Sequence, residues 1–167
     1  GRCTPEAGRN PMAMERVSAV KHTFTVEDVI ARGRETLESC ILHGATRMRA
    51  HVEVDPKIGL RGFEGVKALV DKYKWAIDIE ICVFAQEGLI SYPGTDELLV
   101  EGLKRGADLI GGAPRYDKDP AGQIERVFDR MGPFDTVYHC AAEFGRWNGE
   151  DFYESLWRTN VVGTKNL

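Results

Sequence analysis

The chain has 167 residues, of which 43% are hydrophobic and 29% are charged, and its formal net charge is −4. This composition is typical of a globular domain with a core, and it disfavours a nucleic-acid-binding surface, which needs clustered lysine and arginine. No apolar run approaches the ~20 residues of a membrane span, and the first ten residues lack the apolar core of a signal peptide. We therefore predict a protein that stays in the cytoplasm.

The chain before its first predicted strand is helical apart from a polar start. Residues 1–11 are polar and contain glycine and proline, which predicts a poorly ordered lead-in. A short helix is predicted over residues 12–21. Thr25 then predicts the start of a longer helix, because its side chain can cap the helix while Asp28 lies at the third helical position. Gly44 is placed to end that helix.

Strand-like and helix-like segments alternate after this point. One face of a predicted strand carries the alternating apolar residues Ile77, Ile79, Ile81 and Val83. On both sides of this strand, apolar residues recur at helical spacing, which predicts a helix before it and a helix after it. Strands are predicted over 46–55, 77–84, 107–114 and 135–142, and helices over 62–74, 95–105, 120–131 and 150–167. This order predicts an α/β fold of parallel β–α repeats, with about four strands and five to six helices. Such a sheet is either part of a (β/α)8 barrel or an open Rossmann-like sheet.

A polar turn follows the second predicted strand. Gln86 and Glu87 come directly after the apolar run and precede Gly88. Ligands of parallel α/β proteins bind at the loops that follow the carboxyl ends of strands. A glutamine amide also offers both a donor and an acceptor to a ring amide. We therefore predict that Gln86 and Glu87 bind a small-molecule substrate.

Three stretches of the chain resemble one enzyme family. The stretches VEDVIARGRETLESCILHGATRMRAHVEVD, IDIEICVFAQEGLISYP and LLVEGLKRGADLIGGAPRYD are similar to consecutive strand–helix units of cytosine-deaminase-type amidohydrolases. Residues 12–128 thus resemble part of a (β/α)8 barrel. The resemblance implies hydrolysis of a carbon–nitrogen bond in a cyclic amidine or amide, a divalent zinc or iron ion, and contact between Gln86 and the substrate ring.

The metal centre of such a hydrolase is not found in the sequence. The histidines do not show the HxH or HExxH spacing of a hydrolytic metal site; they are His22, His43, His51 and His139. A complete barrel also needs ~250 residues. We predict a fragment that is not active alone and assign no catalytic residue and no metal ligand. We interpret His51, near the end of its strand, as a substrate-binding wall residue.

The end of the chain resembles a different family. FDTVYHCAAEFGRWNGEDFYESLWRTNVVGTKNL is similar to the middle of an extended short-chain dehydrogenase/reductase of the epimerase type, over residues 133–167. This resemblance implies NAD(P) binding by His139, Ala141, Ala142 and Asn160. The GxxGxxG phosphate turn and the Tyr-x-x-x-Lys pair of that family are not found, so no cofactor site is complete. The two resemblances predict a chimera or joined fragments, with residues 129–167 packed as a strand and helix on the same sheet.

Three functions are open on this sequence. They are an amidohydrolase fragment, an NAD(P)-dependent epimerase or dehydrogenase fragment, and a non-catalytic α/β scaffold that is engineered or recombined. A half-barrel leaves sheet edges and an apolar face uncovered, which favours a homo-oligomer.

Several polar and thiol groups have a structural interpretation. Arg47 and Arg49 lie on one face of the first predicted strand, and we predict that they form ion pairs with Glu53 or neighbouring acids. We call this face the ion-paired wall. The loop around Asp117 predicts a solvated segment before Pro120. The scattered cysteines predict reduced thiols rather than disulfides or a metal site; they are Cys3, Cys40, Cys82 and Cys140.

Overall fold

The computed structural model describes residues 13–131. These residues belong to the first of two compact units into which the chain divides, Gly1–Gly132 and Pro133–Leu167. The predicted lead-in, the fourth strand, the last helix and the NAD(P)-binding residues lie outside the described residues; the cofactor residues are His139, Ala141, Ala142 and Asn160. The structure therefore bears on the first resemblance, and the domain boundaries at residues 11 and 128 stay predictions.

Helices and strands alternate through the described part, which confirms the predicted α/β class. The helices are α1 (Ala13–Val20), α2 (Val26–Leu42), α3 (Arg61–Tyr73), α4 (Thr95–Lys104) and α5 (Pro120–Met131). The strands are β1 (Arg47–Glu53), β2 (Asp78–Ala85) and β3 (Leu109–Gly112), and short 3-10 helices span Lys21–Thr23 and Pro114–Tyr116. Within residues 13–131, no helix combines the length and the apolar character that a membrane crossing requires.

The three strands form one parallel sheet in the order β1–β2–β3. Met48 pairs with Ile79 and Val52 with Val83, so the two apolar series lie on the same face. A helix connects each strand to the next, as parallel pairing requires. A parallel sheet in sequential order is consistent with a segment of a (β/α)8 barrel.

The core lies on the face that the helices cover. Val83 is fully buried and packs in one cluster with Val52, with Phe63 of α3 and with Leu99 of α4. A second cluster joins α2 and α3 to the start of the sheet; its buried members are Leu37, Leu69, Tyr73, Ile77 and Ile79. The apolar face predicted for β2 is therefore the buried face.

The opposite face of the sheet carries charged side chains. Arg49 lies 2.8 Å from Glu80, and Arg47 lies 3.0 Å from the same carboxylate and 3.5 Å from Asp78. The predicted ion-paired wall is thus confirmed with the neighbouring acids as partners, whereas Glu53 has another partner described below.

The two thiols in the described part form no disulfide. Cys40 is half-buried, and Cys82 is buried within β2. Both therefore agree with the predicted reduced state.

The two predicted helix caps differ in outcome. The Thr25 side chain accepts a hydrogen bond from the Asp28 backbone N–H, which confirms the predicted cap of α2. Thr95 is not a cap: Gly94 precedes the helix at φ 101°, and Thr95 is its first residue. The buried Thr95 hydroxyl instead donates to the Tyr92 carbonyl at 2.7 Å, because the left-handed glycine has already turned the chain into the helix.

The contact between α2 and α3 depends on a glycine. A Cβ at Gly65 would lie 2.6 Å from Val29 Cγ1 and 2.8 Å from Val29 Cβ. We expect Gly65→Ala to lower the free energy of unfolding by about 1–3 kcal/mol through overpacking, although alanine favours a helix by about 1 kcal/mol. Urea denaturation measures this change.

A glycine on the facing helix provides the matched control. A Cβ at Gly33 would lie 2.6 Å from Leu69 Cδ1, the far end of a side chain, whereas a Cβ at Gly65 would meet Val29 next to its backbone. Gly33→Ala should therefore cost less than Gly65→Ala. Equal gains in stability from both substitutions would contradict the close approach of α2 and α3.

Candidate functional site

Four polar side chains follow the carboxyl ends of β1 and β2. Glu53 is the last residue of β1, Asp55 comes two positions later, and Gln86 and Glu87 come directly after β2. Because β1 and β2 are parallel neighbours, these residues lie at the same edge of the sheet. The carboxyl edge is where ligand sites of parallel α/β proteins form.

A buried lysine lies among the acids of this edge. Lys21 of the 3-10 helix after α1 is 0% exposed. Its Nζ lies 2.6 Å from Glu53 Oε1 and 2.5 Å from Glu87 Oε1, and it also donates to Asp55 Oδ2. We call Glu53, Asp55 and Glu87 the carboxylate cluster. No role is predicted for Lys21 from the sequence, because a single lysine carries no signal of burial.

Further donors hold the carboxylate cluster from the side. Glu87 Oε2 accepts hydrogen bonds from Ser18 Oγ at 2.9 Å and from Lys57 Nζ at 3.1 Å. Asp55 Oδ1 accepts the backbone N–H groups of Lys57 at 2.6 Å and Ile58 at 3.2 Å. Each of these two carboxylates therefore has both oxygens hydrogen-bonded.

Burial and hydrogen bonding shift the pKa values of Lys21 and its acidic partners in opposite directions. Burial disfavours the Lys21 ammonium, but hydrogen bonds to Asp55, Glu53 and Glu87 outweigh it and raise the pKa of Lys21 above its usual 10.5. Burial raises the pKa of Glu53, even though Lys21 opposes the change. For Glu87, the hydrogen bonds from Lys21, Ser18 and Lys57 outweigh burial and lower the pKa.

The carboxylate cluster is the group of described residues that comes nearest to a metal site. Its ligand atoms lie within 4.8 Å of one another. The Lys21 ammonium, however, already lies at bonding distance from all three acids. The donor set therefore does not fit the divalent metal that the resemblance implies.

A cleft opens beside the carboxylate cluster. It has a volume of about 680 Å³, within the range of small-molecule sites. Lys57 lies 5.0 Å from the centroid of the Tyr92 ring in its wall. The cleft is lined by Glu15, Ser18, Ala19, His22, Lys57, Glu87, Ser91, Tyr92 and Tyr116. Glu87 thus belongs both to the cleft and to the buried cluster.

The predicted site residues do not all meet in this cleft. Gln86 is half-buried directly after β2. His51 is exposed, and its ring lies edge-on to Phe84 with centroids 6.0 Å apart. His51 lines a different hollow of about 320 Å³, which Glu53 and Arg32 also line. The structure therefore separates His51 from the cleft of Glu87, and the substrate-binding roles of these residues stay predictions.

Asp117 was wrongly predicted to lie in a solvated loop. It is 8% exposed and accepts the backbone N–H groups of Leu89 at 2.6 Å, of Ile90 at 2.9 Å and of Ser91 at 2.9 Å. The Ser91 hydroxyl and the Gln123 amide donate to it as well, at 2.7 and 2.9 Å. These donors make burial of the charge favourable, and they tie the turn after Glu87 to the connection that follows β3.

The charge state of Asp117 follows from these donors. Burial alone would raise its pKa, but the hydrogen bonds from Ser91, Ile90, Leu89 and Gln123 hold the pKa well below the usual 3.8. Asp117 is therefore a carboxylate at neutral pH.

Comparisons with known proteins find partial relatives. No protein-family model matches the sequence. The N-isopropylammelide isopropyl amidohydrolase of Pseudomonas sp. (strain ADP) is 32% identical over 104 residues, which are 62% of this chain and 24% of that protein. The crystal structure of 5-methylcytosine deaminase from Klebsiella pneumoniae liganded with phosphonocytosine has a TM-score of 0.69 and 29% identity, over 75% of this chain and 31% of that chain.

A second solved structure gives the same result. N-isopropylammelide isopropylaminohydrolase from Burkholderia multivorans ATCC 17616 has a TM-score of 0.59 and 30% identity, over 72% of this chain and 32% of that chain. This chain thus spans about a quarter to a third of the length of these relatives. They do not support the predicted dehydrogenase resemblance, NAD(P) binding or a chimera. This chain is similar, in sequence and in fold, to a segment of amidohydrolases of the cytosine-deaminase type.

Proposed function

We propose that this chain forms part of a hydrolase that cleaves a carbon–nitrogen bond in a cyclic amidine or amide. One observation carries the proposal. The chain is similar in fold, and about 30% identical in sequence, both to a 5-methylcytosine deaminase and to an N-isopropylammelide hydrolase. Both relatives are named for reactions at the amino group of a nitrogen heterocycle. The described residues supply a binding wall for such a ring.

The carboxyl edge of the sheet suits this role. Gln86 follows β2 at the edge where α/β proteins bind ligands, and its amide can pair with a ring carbonyl and a ring N–H together. In the reaction, a water oxygen bonds to the ring carbon, the carbon–nitrogen bond breaks, and the leaving amine takes up a proton. Gln86 would hold the ring while this exchange occurs.

The metal-dependent part of the reaction is proposed to need other residues. Among residues 13–131, the carboxylate cluster is filled by the Lys21 ammonium and does not fit a divalent metal. We therefore propose that the chain is not active alone. A homo-oligomer and a cytoplasmic location also stay predictions.

Removing the Gln86 amide should weaken ring binding. We expect Gln86→Ala to reduce affinity for a cyclic amide by about 1–3 kcal/mol, or roughly 5- to 150-fold in Kd, because polar atoms of the bound ring lose their partner. Isothermal titration with cytosine and with a triazine ring amide measures this loss. Unchanged affinity would remove Gln86 from the site.

The matched variant Gln86→Glu separates the two functions of the amide. It keeps the length of the side chain and offers acceptor oxygens, but as a carboxylate it has no N–H donor. If the ring is recognised through both groups, Gln86→Glu should lose affinity as well, with the melting temperature close to that of the wild type.

The proposal as a whole is tested by turnover. The purified chain is assayed for ammonia release from cytosine and related ring amides, together with analysis of its metal content. Ring binding without turnover agrees with a binding wall that lacks its metal centre. Turnover with stoichiometric metal would contradict inactivity of the chain alone, and no binding of any ring amide would contradict the proposed function.

A further inference from the structure

We infer that Lys21 is the resident cation of the carboxylate cluster, and that this cluster anchors the segment before α2 to the sheet instead of holding a divalent metal. The inference goes beyond the proposed function, because it concerns how the carboxyl edge is built and holds for any substrate. Three independent features of the described residues support it: the match of donors to acceptors, the compensation of the acidic charges by lysines and backbone N–H groups, and the connections that the cluster makes.

The donors and acceptors match in number. A lysine ammonium has three N–H donors. Glu53, Asp55 and Glu87 each offer one oxygen to Lys21 Nζ. The remaining oxygens of Asp55 and Glu87 accept other protein donors. A metal ion at the same place would have to displace Lys21 and compete with these donors.

Most of the negative charge of the cluster is also compensated without a metal. The three carboxylates face two ammonium groups, those of Lys21 and Lys57. Asp55 gains further compensation from two backbone N–H groups. A divalent cation bound beside Lys21 would lie a few ångströms from a buried positive charge, and repulsion at that distance is strong in an interior of low dielectric constant. The site therefore favours a lysine over an added metal.

The cluster joins parts of the chain that are far apart in sequence. Ser18 of α1 donates to Glu87 across 69 positions, and Lys21 bonds the acids that follow both β1 and β2. Arg61 at the start of α3 donates to the carbonyl of His22 at 3.0 Å. The segment from α1 to the 3-10 helix is thus fastened over the edge that carries Gln86 and Glu87.

The first test uses the wild-type chain and Mn²⁺, a paramagnetic ion that prefers oxygen ligands. Mn²⁺ bound at the cluster would broaden the amide NMR signals of residues 53–58 and 86–88. We expect no selective broadening of these signals at millimolar Mn²⁺. Selective broadening in the wild type would show a metal in the cluster and would overturn the inference, whatever the activity of the protein.

The second test removes the resident cation. Lys21→Ala leaves three acids around an open space, so we expect Mn²⁺ to raise its melting temperature by about 3–6 °C at ten times its Kd, against less than about 1 °C for the wild type. Lys57→Ala is the matched control, because it removes a lysine from Glu87 but leaves Lys21 in place. The control should not gain a response to Mn²⁺.

The double variant K21A/E87Q tests whether Mn²⁺ binds at the cluster. Because it lacks one of the three carboxylates, its melting temperature should no longer rise with Mn²⁺. If Lys21→Ala folds only in the presence of Mn²⁺, that rescue supports the inference. If it keeps wild-type stability and shows no response, Lys21 is not the cation of the cluster. If Lys21→Ala does not fold under any condition, the NMR measurement on the wild type decides the inference.

Discussion

Lys21→Met is expected to lower the free energy of unfolding by about 3–5 kcal/mol, the usual cost of removing one partner from a buried ion pair. Methionine fills much of the same space but leaves Glu53, Asp55 and Glu87 without the ammonium that bonds all three. The repulsion among the acids then acts in a buried place. Urea denaturation followed by circular dichroism measures the change.

An exposed lysine provides the control for this substitution. The Lys118 side chain is exposed, and Lys118→Met should stay within about 0.5 kcal/mol of the wild type. Amide hydrogen exchange adds a local readout, since Lys21→Met should speed exchange in residues 15–24 more than in β2. Equal losses from both substitutions would mean that the cluster does not stabilise the fold.

Asp117→Asn is the second substitution with a large expected effect, about 3–5 kcal/mol of lost stability. Asparagine keeps one acceptor oxygen, but its NH2 group replaces the other, so it cannot accept both from Leu89 and Ile90, which donate to Oδ2, and from Ser91, which donates to Oδ1. Buried donors would then face one another without an acceptor. The exposed Asp71 on α3 gives a matched Asp→Asn control, for which the stability should hardly change.

The loss should depend on pH with a definite sign. Because the folded state holds the pKa of Asp117 below its usual 3.8, the unfolded state binds more protons in acid. The contribution of Asp117 is therefore complete above about pH 5 and is lost as the pH falls through 3.8 and below. Asp117→Asn should flatten this part of the stability curve. An unchanged slope between pH 5 and pH 3 would contradict the charged state of buried Asp117.

The repeating part of this fold could be predicted from local patterns. Apolar alternation located β1 and β2, and helical spacing with the Thr25 cap located α2, because both signals depend on near neighbours in the chain. Thr95 is predicted to cap α4, since threonine is a common capping residue. In the structure, Gly94 in a left-handed conformation occupies the cap position instead. The sequence does not show whether a glycine in a turn is the cap of the next helix or only part of the turn.

The polar interior of the carboxyl edge could not be predicted in the same way. Lys21 and Asp117 were predicted neither as buried nor as hubs of hydrogen bonds, because their partners lie far away in the sequence. A charged residue is buried only when donors or acceptors from other segments hydrogen-bond to it. A single sequence does not show which distant segments come together. The position of Gln86 and Glu87 at this edge could be predicted, because both directly follow a strand with a plain apolar pattern. Their substrate-binding roles stay predictions.

The sequential order β1–β2–β3 has a consequence for how the segment forms. Each described strand pairs with the strand that comes next in the chain, and each pairing closes a loop that contains one helix. Each β–α–β unit brings its own helix to cover the strands it joins. Such a unit can therefore form its pairing without waiting for a more distant part of the chain.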